Sequence, residues 1–182
     1  MAERSLLVLG LGNVLCGDDG LGIVAAERLE RRFRLPPEVR VMDGGTLGLS
    51  LMGLVREADD LLLLDAVRAD APAGTLVRLS GDEVGPAVRD RLSVHQIGVC
   101  DFLDGLRWLG AEPERLCLLG LVPASLGWGP GLSAPVLAGL DELVSAAAEL
   151  ATTWGYPLEP SDAMESEGLP AAGGVVARVL GL

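Results

Sequence analysis

Two adjacent carboxylates in a glycine-rich turn have the residue types and the setting to hold a divalent cation. They are Asp18 and Asp19 within Gly10-Leu11-Gly12-Asn13-Val14-Leu15-Cys16-Gly17-Asp18-Asp19-Gly20-Leu21-Gly22. The turn directly follows Leu6-Leu7-Val8-Leu9, an apolar run that reads as a buried strand. A strand feeding a glycine turn and then a helix also describes a dinucleotide site. That site needs a third glycine where Leu15 stands, and a helix start free to hold pyrophosphate, which Asp18 and Asp19 would repel. Two further acids close strand-like runs: Asp43 after Val39-Arg40-Val41-Met42, and Asp65 after Leu61-Leu62-Leu63-Leu64. The only histidine of the chain, His95, stands in the loop-like stretch Ser93-Val94-His95-Gln96. Ligands of an open parallel sheet bind beyond the carboxyl ends of its strands, so these groups can share one edge. Two carboxylates and an imidazole make a mixed oxygen and nitrogen donor set for a divalent transition metal, with positions left open for water or substrate.

Each piece also has an ordinary reading. Asp18 or Asp19 can cap the first helix. Asp43-Gly44-Gly45 can be a turn, and a lone histidine ahead of a helix is more often structural than a ligand. Asp65 is harder to dismiss, because an acid set directly after four leucines is costly unless paired or used. Cys16 offers a rival chemistry, a cysteine peptidase with His95 as base. Its place near a helix start favours a thiolate, while Asp18 and Asp19 oppose one. The other two of the three cysteines, Cys100 and Cys117, fall in helix and strand patterns and read as core. An odd count without a CxxC spacing fits neither a disulfide framework nor a structural zinc site and places the chain in a reducing cytoplasm. There is no HExxH, no GxSxG and no second histidine, so the chain is not a zincin.

The elements that must position these residues alternate between apolar strand runs and amphipathic helix-length segments. That alternation predicts an α/β fold, a mostly parallel sheet with helices on both faces. The first helix begins near Asp19 or Gly20, turns Leu21, Val24, Ala25, Leu29 and Phe33 inward, and is stopped by Pro36-Pro37. Further helices are expected over about 47–57, 97–109 and 134–152. Thr75 to Leu79 reads as a short antiparallel edge strand, and Leu116 to Val122 as another buried one. The loop from Pro123 to Leu132 is rich in Gly and Pro; it can border a substrate groove, and its Trp128 can equally be a packed anchor, the preferred reading. From Tyr156 to Gly168 the composition turns to Pro, Ser, Asp and Glu, so residues 154–182 are expected to be a linker and tail, disordered or loosely docked, after a single domain over 1–153.

At 182 residues one domain is the default, and 49% hydrophobic residues are ample for its core. A net charge of −12 argues against nucleic acid and anionic membranes, which need a basic face. No apolar stretch is long enough to span a bilayer, and the N-terminal run ends in GDDG rather than a cleavage site.

Taken in order, GLGNVLCGDDGLG at 10–22, DGGTLG at 43–48, LLLLDAV at 61–67, SVHQIG at 93–98 and LLGLVPASLGWGPGLS at 118–133 resemble the nickel-iron hydrogenase maturation endopeptidases. The resemblance covers about residues 5–152. It implies a three-layer sandwich, a twisted five-stranded sheet between helices, and an endopeptidase of the aspartic or metal-dependent type. The substrate it implies is the hydrogenase large-subunit precursor, trimmed of its C-terminal extension after nickel insertion. It further implies metal-contacting positions at Asp19, Asp65 and His95, with Asp43 as an additional acidic position near the cleft. Many relatives carry Glu at the first of these, and Asp withdraws the carboxylate by about one carbon–carbon bond, roughly 1.5 Å. Nickel is expected to arrive with the substrate, another divalent metal being the alternative. A monomer is expected. A non-catalytic nickel-binding assembly factor on the same scaffold is the runner-up.

Overall fold

Two strands with no exposed residue organise the chain. β1 (Leu6–Leu11) and β4 (Asp60–Ala66) are buried at every position, which is why both read as unbroken apolar runs rather than alternating ones. The computed structural model describes residues 4–45, 48–89 and 103–161. In chain order the remaining elements are α1 (Leu21–Arg32), β2 (Phe33–Arg34), β3 (Val39–Gly45), α2 (Met52–Val55), β5 (Leu76–Ser80), α3 (Val84–Arg89), α4 (103–108), β6 (Arg115–Leu121), α5 (Ala134–Thr153) and β7 (Glu159–Pro160). The main sheet has five strands in the order β3-β1-β4-β6-β5. Its first four strands are parallel and β5 runs antiparallel at the edge, as the sequence predicts.

Side chains alternate across the sheet and build a core on each face. Leu62, Leu64 and Ala66 pack with α1 and α5; Leu61, Leu63 and Val67 pack with α2, α3 and α4. Helices therefore cover both faces in three layers. Chain direction reverses between β1 and β4: β1 leads through α1 to β3 on one side, and the chain returns past β1 to β4 on the other. Such a reversal point, beyond the carboxyl ends of β1 and β4, is the usual ligand position in open parallel sheets.

Glycine sets how tightly α1 lies over this point. A Cβ on Gly22 would fall 2.0 Å from the Leu64 carbonyl oxygen and 2.4 Å from that of Leu11. Two local expectations change, and a third is described only in part. The segment expected to be helical over 47–57 is a 3-10 turn at Gly48–Leu51 followed by the single turn α2, since Gly48 and Gly53 both weaken a helix. Of the helix expected over 97–109, residues 103–108 are helical and 97–102 lie outside the described residues. The packed unit also passes the expected boundary at 153. Tyr156 and Leu158 are buried in the α1/α5 core, β7 pairs antiparallel with β2, and the Ser161 N–H donates to the Arg32 carbonyl at 2.9 Å. The tail expectation for 162–182 lies outside the described residues. Among the described residues, no helix is long and apolar enough to cross a membrane.

Candidate active site

The glycine turn folds back on itself to present its second acid. Gly12 adopts φ 121, open to glycine, and a Cβ there would lie 1.7 Å from the Asp19 carbonyl oxygen. With no side chain in the way, the Asn13 N–H donates to Asp19 Oδ2 at 2.8 Å. The Asp19 N–H donates to the Cys16 carbonyl at 3.2 Å, and the Asn13 side chain ties the turn by accepting from the Leu15 N–H at 3.0 Å. Asp19 is 1% exposed and sits on the 3-10 turn Gly17–Gly20, which packs against β4.

Neither acid caps α1, whose N-cap is Gly20 with no side-chain bond. Asp18 does something else. Its Oδ2 accepts from the Ala124 N–H at 2.8 Å, the Ser125 N–H at 3.0 Å and the Ser133 hydroxyl at 2.9 Å, and its Oδ1 accepts from the Ser133 N–H at 2.6 Å. The carboxylate clamps the loop after β6 to the turn after β1. Four donors to one buried carboxylate fully occupy it, so the acid pair divides into a clamp, Asp18, and a candidate site acid, Asp19.

Asp65 is also 1% exposed and accepts from the Ala66 N–H at 2.7 Å. By strand alternation it shares the face of Leu61 and Leu63. Gly10 pairs with Leu64, so the ends of β1 and β4 lie side by side, with Asp19 following one and Asp65 closing the other. The structure thus brings Asp19 and Asp65 to the reversal point of the sheet. Asp43 stands at the same carboxyl edge on the outer strand β3. It is exposed, opposite Gly10, and in the pleat phase of Leu64 rather than of Asp65. His95 and Cys100 lie outside the described residues. Among the described residues no three His, Cys, Asp or Glu side chains gather to hold a metal.

Cys16 is poorly prepared to act as a nucleophile. Burial pushes its thiol above the ordinary value and the Asp19 charge adds to that, and both disfavour the thiolate. Trp128 is 87% exposed, which corrects the packed-anchor expectation: its flanking glycines offer no surface to pack on. Sequence reasoning missed Asp60. It is fully buried at the opposite end of β4, where it accepts from Arg4 Nη2 at 2.9 Å, Arg115 Nε at 2.8 Å and the Tyr156 hydroxyl at 2.6 Å. An acid opening an apolar run was the available signal, although this one serves the fold and not the site.

Hydrogenase maturation proteases are among the known proteins that share this sequence pattern and fold. The family model for hydrogenase maturation protease matches residues 23–150, a span that includes Asp43, Asp65 and His95. The hydrogenase 2 maturation protease of Escherichia coli (strain K12) is 37% identical over 150 residues, covering 79% of this chain and 91% of that protein. The solved structure of the hydrogenase maturating endopeptidase HybD from E. coli superposes with a TM-score of 0.83 at 35% identity, covering 86% of this chain and 98% of that one. The hydrogenase maturation protease HybD from Thermococcus kodakarensis gives a TM-score of 0.68 at 28% identity, over 81% of this chain and 99% of that one. With a family model spanning well over half its length, a close relative across most of it and the same sheet, this chain belongs to the hydrogenase maturation proteases and is a hydrolase of the endopeptidase class.

Proposed function

We propose that this endopeptidase removes the C-terminal extension of a nickel-iron hydrogenase large-subunit precursor once nickel is in place. The observation that carries the reading is the pairing of two buried carboxylates, Asp19 and Asp65, at the reversal point between β1 and β4. In this reading Asp19, Asp65 and His95 supply further ligands to nickel held by the precursor. Asp and His donors suit such a borderline cation. Docking on that nickel places the scissile peptide along the carboxyl edge, and Asp43 lines the approach. The chemistry in this reading is of the carboxylate and metal-dependent type, supported by the two buried carboxylates, while burial and the Asp19 charge disfavour a thiolate at Cys16. Cys16 and Cys117 are free thiols, which fits the reducing cytoplasm in which such a precursor would be processed.

The test uses purified precursor with and without nickel. The nickel-loaded form should be shortened and the nickel-free form should not; equal cleavage of both removes the recognition step. Asp19→Asn, Asp65→Asn and His95→Ala should each lower processing by about a thousandfold or more with unchanged circular dichroism. Near-normal cleavage by any two of them removes the site assignment. Cys16→Ser should process normally.

A further inference from the structure

The loop after β6 carries a large apolar side chain that the fold does not use. Trp128 is 87% exposed within Gly127-Trp128-Gly129-Pro130-Gly131. The backbone around it is nevertheless fixed. The Asp18 carboxylate accepts from the Ala124, Ser125 and Ser133 N–H groups on either side of it. The Gly17 N–H donates to the Gly129 carbonyl at 2.7 Å, and the Gly129 N–H to the Leu15 carbonyl at 2.9 Å. Gly129 (φ 139) and Gly131 (φ 96) take backbone conformations that other residues rarely adopt, which sets the path of the loop. Trp128 therefore stands one residue from a clasp onto Cys16, whose carbonyl accepts the Asp19 N–H. Exposed apolar surface gains free energy only when a partner covers it. An indole on a fixed loop can be covered at small cost in conformational order, and tryptophan is enriched among the residues that dominate binding energy.

The position selects the partner. The loop that carries Trp128 is tied by backbone hydrogen bonds to the turn that holds Asp19, so a partner that covers the indole docks next to that turn. A second copy of this chain seated there would block the edge that a substrate has to reach. The segment after Ser161 starts beside Arg32, at the far end of α1 from the site. The other strongly exposed indole, Trp108 at 94%, lies on α4 just ahead of the start of β6, at the opposite end of the sheet.

We propose that Trp128 is a substrate-positioning residue that docks on an apolar surface of the folded precursor beside the peptide to be cut, with Asp18 holding it there. This rests on the function proposed above. The test measures kcat and KM on nickel-loaded precursor for wild type, Trp128→Ala, Trp128→Phe and Trp108→Ala, with melting temperature and sedimentation on each. Trp128→Ala should raise KM by roughly tenfold or more and change kcat by less than about threefold. Trp128→Phe should recover most of the loss, and Trp108→Ala should match wild type. A Trp128→Ala KM within about twofold of wild type overturns the proposal, as does an altered oligomeric state with unchanged KM. If wild type itself does not cut the precursor, the functional reading fails instead, so the two failures are distinct.

Discussion

Adjacent acids of one turn do opposite work here. Asp18 is spent on four hydrogen bonds to the loop after β6, while Asp19 accepts from the Asn13 N–H within the turn after β1. The sequence marks the pair as unusual but does not divide it by local pattern, because the partners of Asp18 lie 106 to 115 residues further on. The partners of Asp60 were hidden for the same reason: Arg115 and Tyr156 are brought in by β6 and by the chain after α5. Burial pushes the Asp60 carboxyl up, but hydrogen bonds from Arg115, Tyr156 and Arg4 outweigh it and hold the group below its ordinary value. A carboxyl lowered on folding stabilises the protein above its unfolded pKa of about 3.9 and loses that contribution as pH falls through the lower folded value. Asp60→Asn should therefore cost about 3 kcal/mol at pH 7, the low end for breaking a buried pair because Arg4 and Arg115 stay partly in water. The deficit should shrink as wild type is acidified below about pH 4. Urea unfolding at pH 7 and pH 3 checks this, and a deficit equal at both would refute it.

At the scale of elements, the carboxyl edge depends on α1 lying directly on the strands. Gly10 and Gly22 allow that contact: a Cβ on Gly10 would fall 2.3 Å from the Gly22 carbonyl oxygen, and one on Gly22 would fall 2.0 Å from that of Leu64. These obstacles are backbone atoms, so no rotamer change relieves them. Gly22→Ala, favourable in an isolated helix by up to about 1 kcal/mol, should here destabilise by about 3 kcal/mol through overpacking. It should also disturb Asp65, which directly follows the pressed Leu64. Chemical denaturation reads the first effect and precursor cleavage the second; a stabilised, fully active variant would show that α1 is free to lift. The same contact explains what was legible. Strands buried on both faces announce themselves as apolar runs, and the edge strand β5 as a short, partly exposed one. Short helices do not. α3 has six residues including Gly85 and Pro86, and its one local signal is Ser80 followed by Glu83, where the Ser80 N–H donates to Glu83 Oε2 at 3.1 Å.

Across the whole molecule, the buried Asp60 cluster and the proposed site sit at opposite ends of β4. Asp60 opens the strand and Asp65 lies five residues later, about 17 Å away at strand rise. The Asp60 end is closed by the segment after α5, where Tyr156 is 5% exposed and donates to Asp60, Leu158 is 9% exposed, and Arg115 stacks 5.1 Å from the Trp154 ring centroid. The sequence hid this closure because polar, proline-containing composition starts at Tyr156, and composition does not reveal that two apolar side chains within it reach the core. A chain ending at Thr153 should therefore be much less stable than one ending at Ser161. Burial of Tyr156 and Leu158 is worth about 1.5–3 kcal/mol each, and the phenol bond to a charged carboxylate adds about 1.5. Allowing for partial compaction of the unfolded chain, the difference should be about 4 kcal/mol, or roughly 10 °C in melting temperature for a protein of this size. At a temperature where both chains are folded, precursor cleavage should be the same to within about twofold, because the shortening touches only the far end of β4. Equal melting temperatures would show that the segment is merely resting on the surface. A cleavage defect in the folded shorter chain would show that the two ends of the strand are coupled after all.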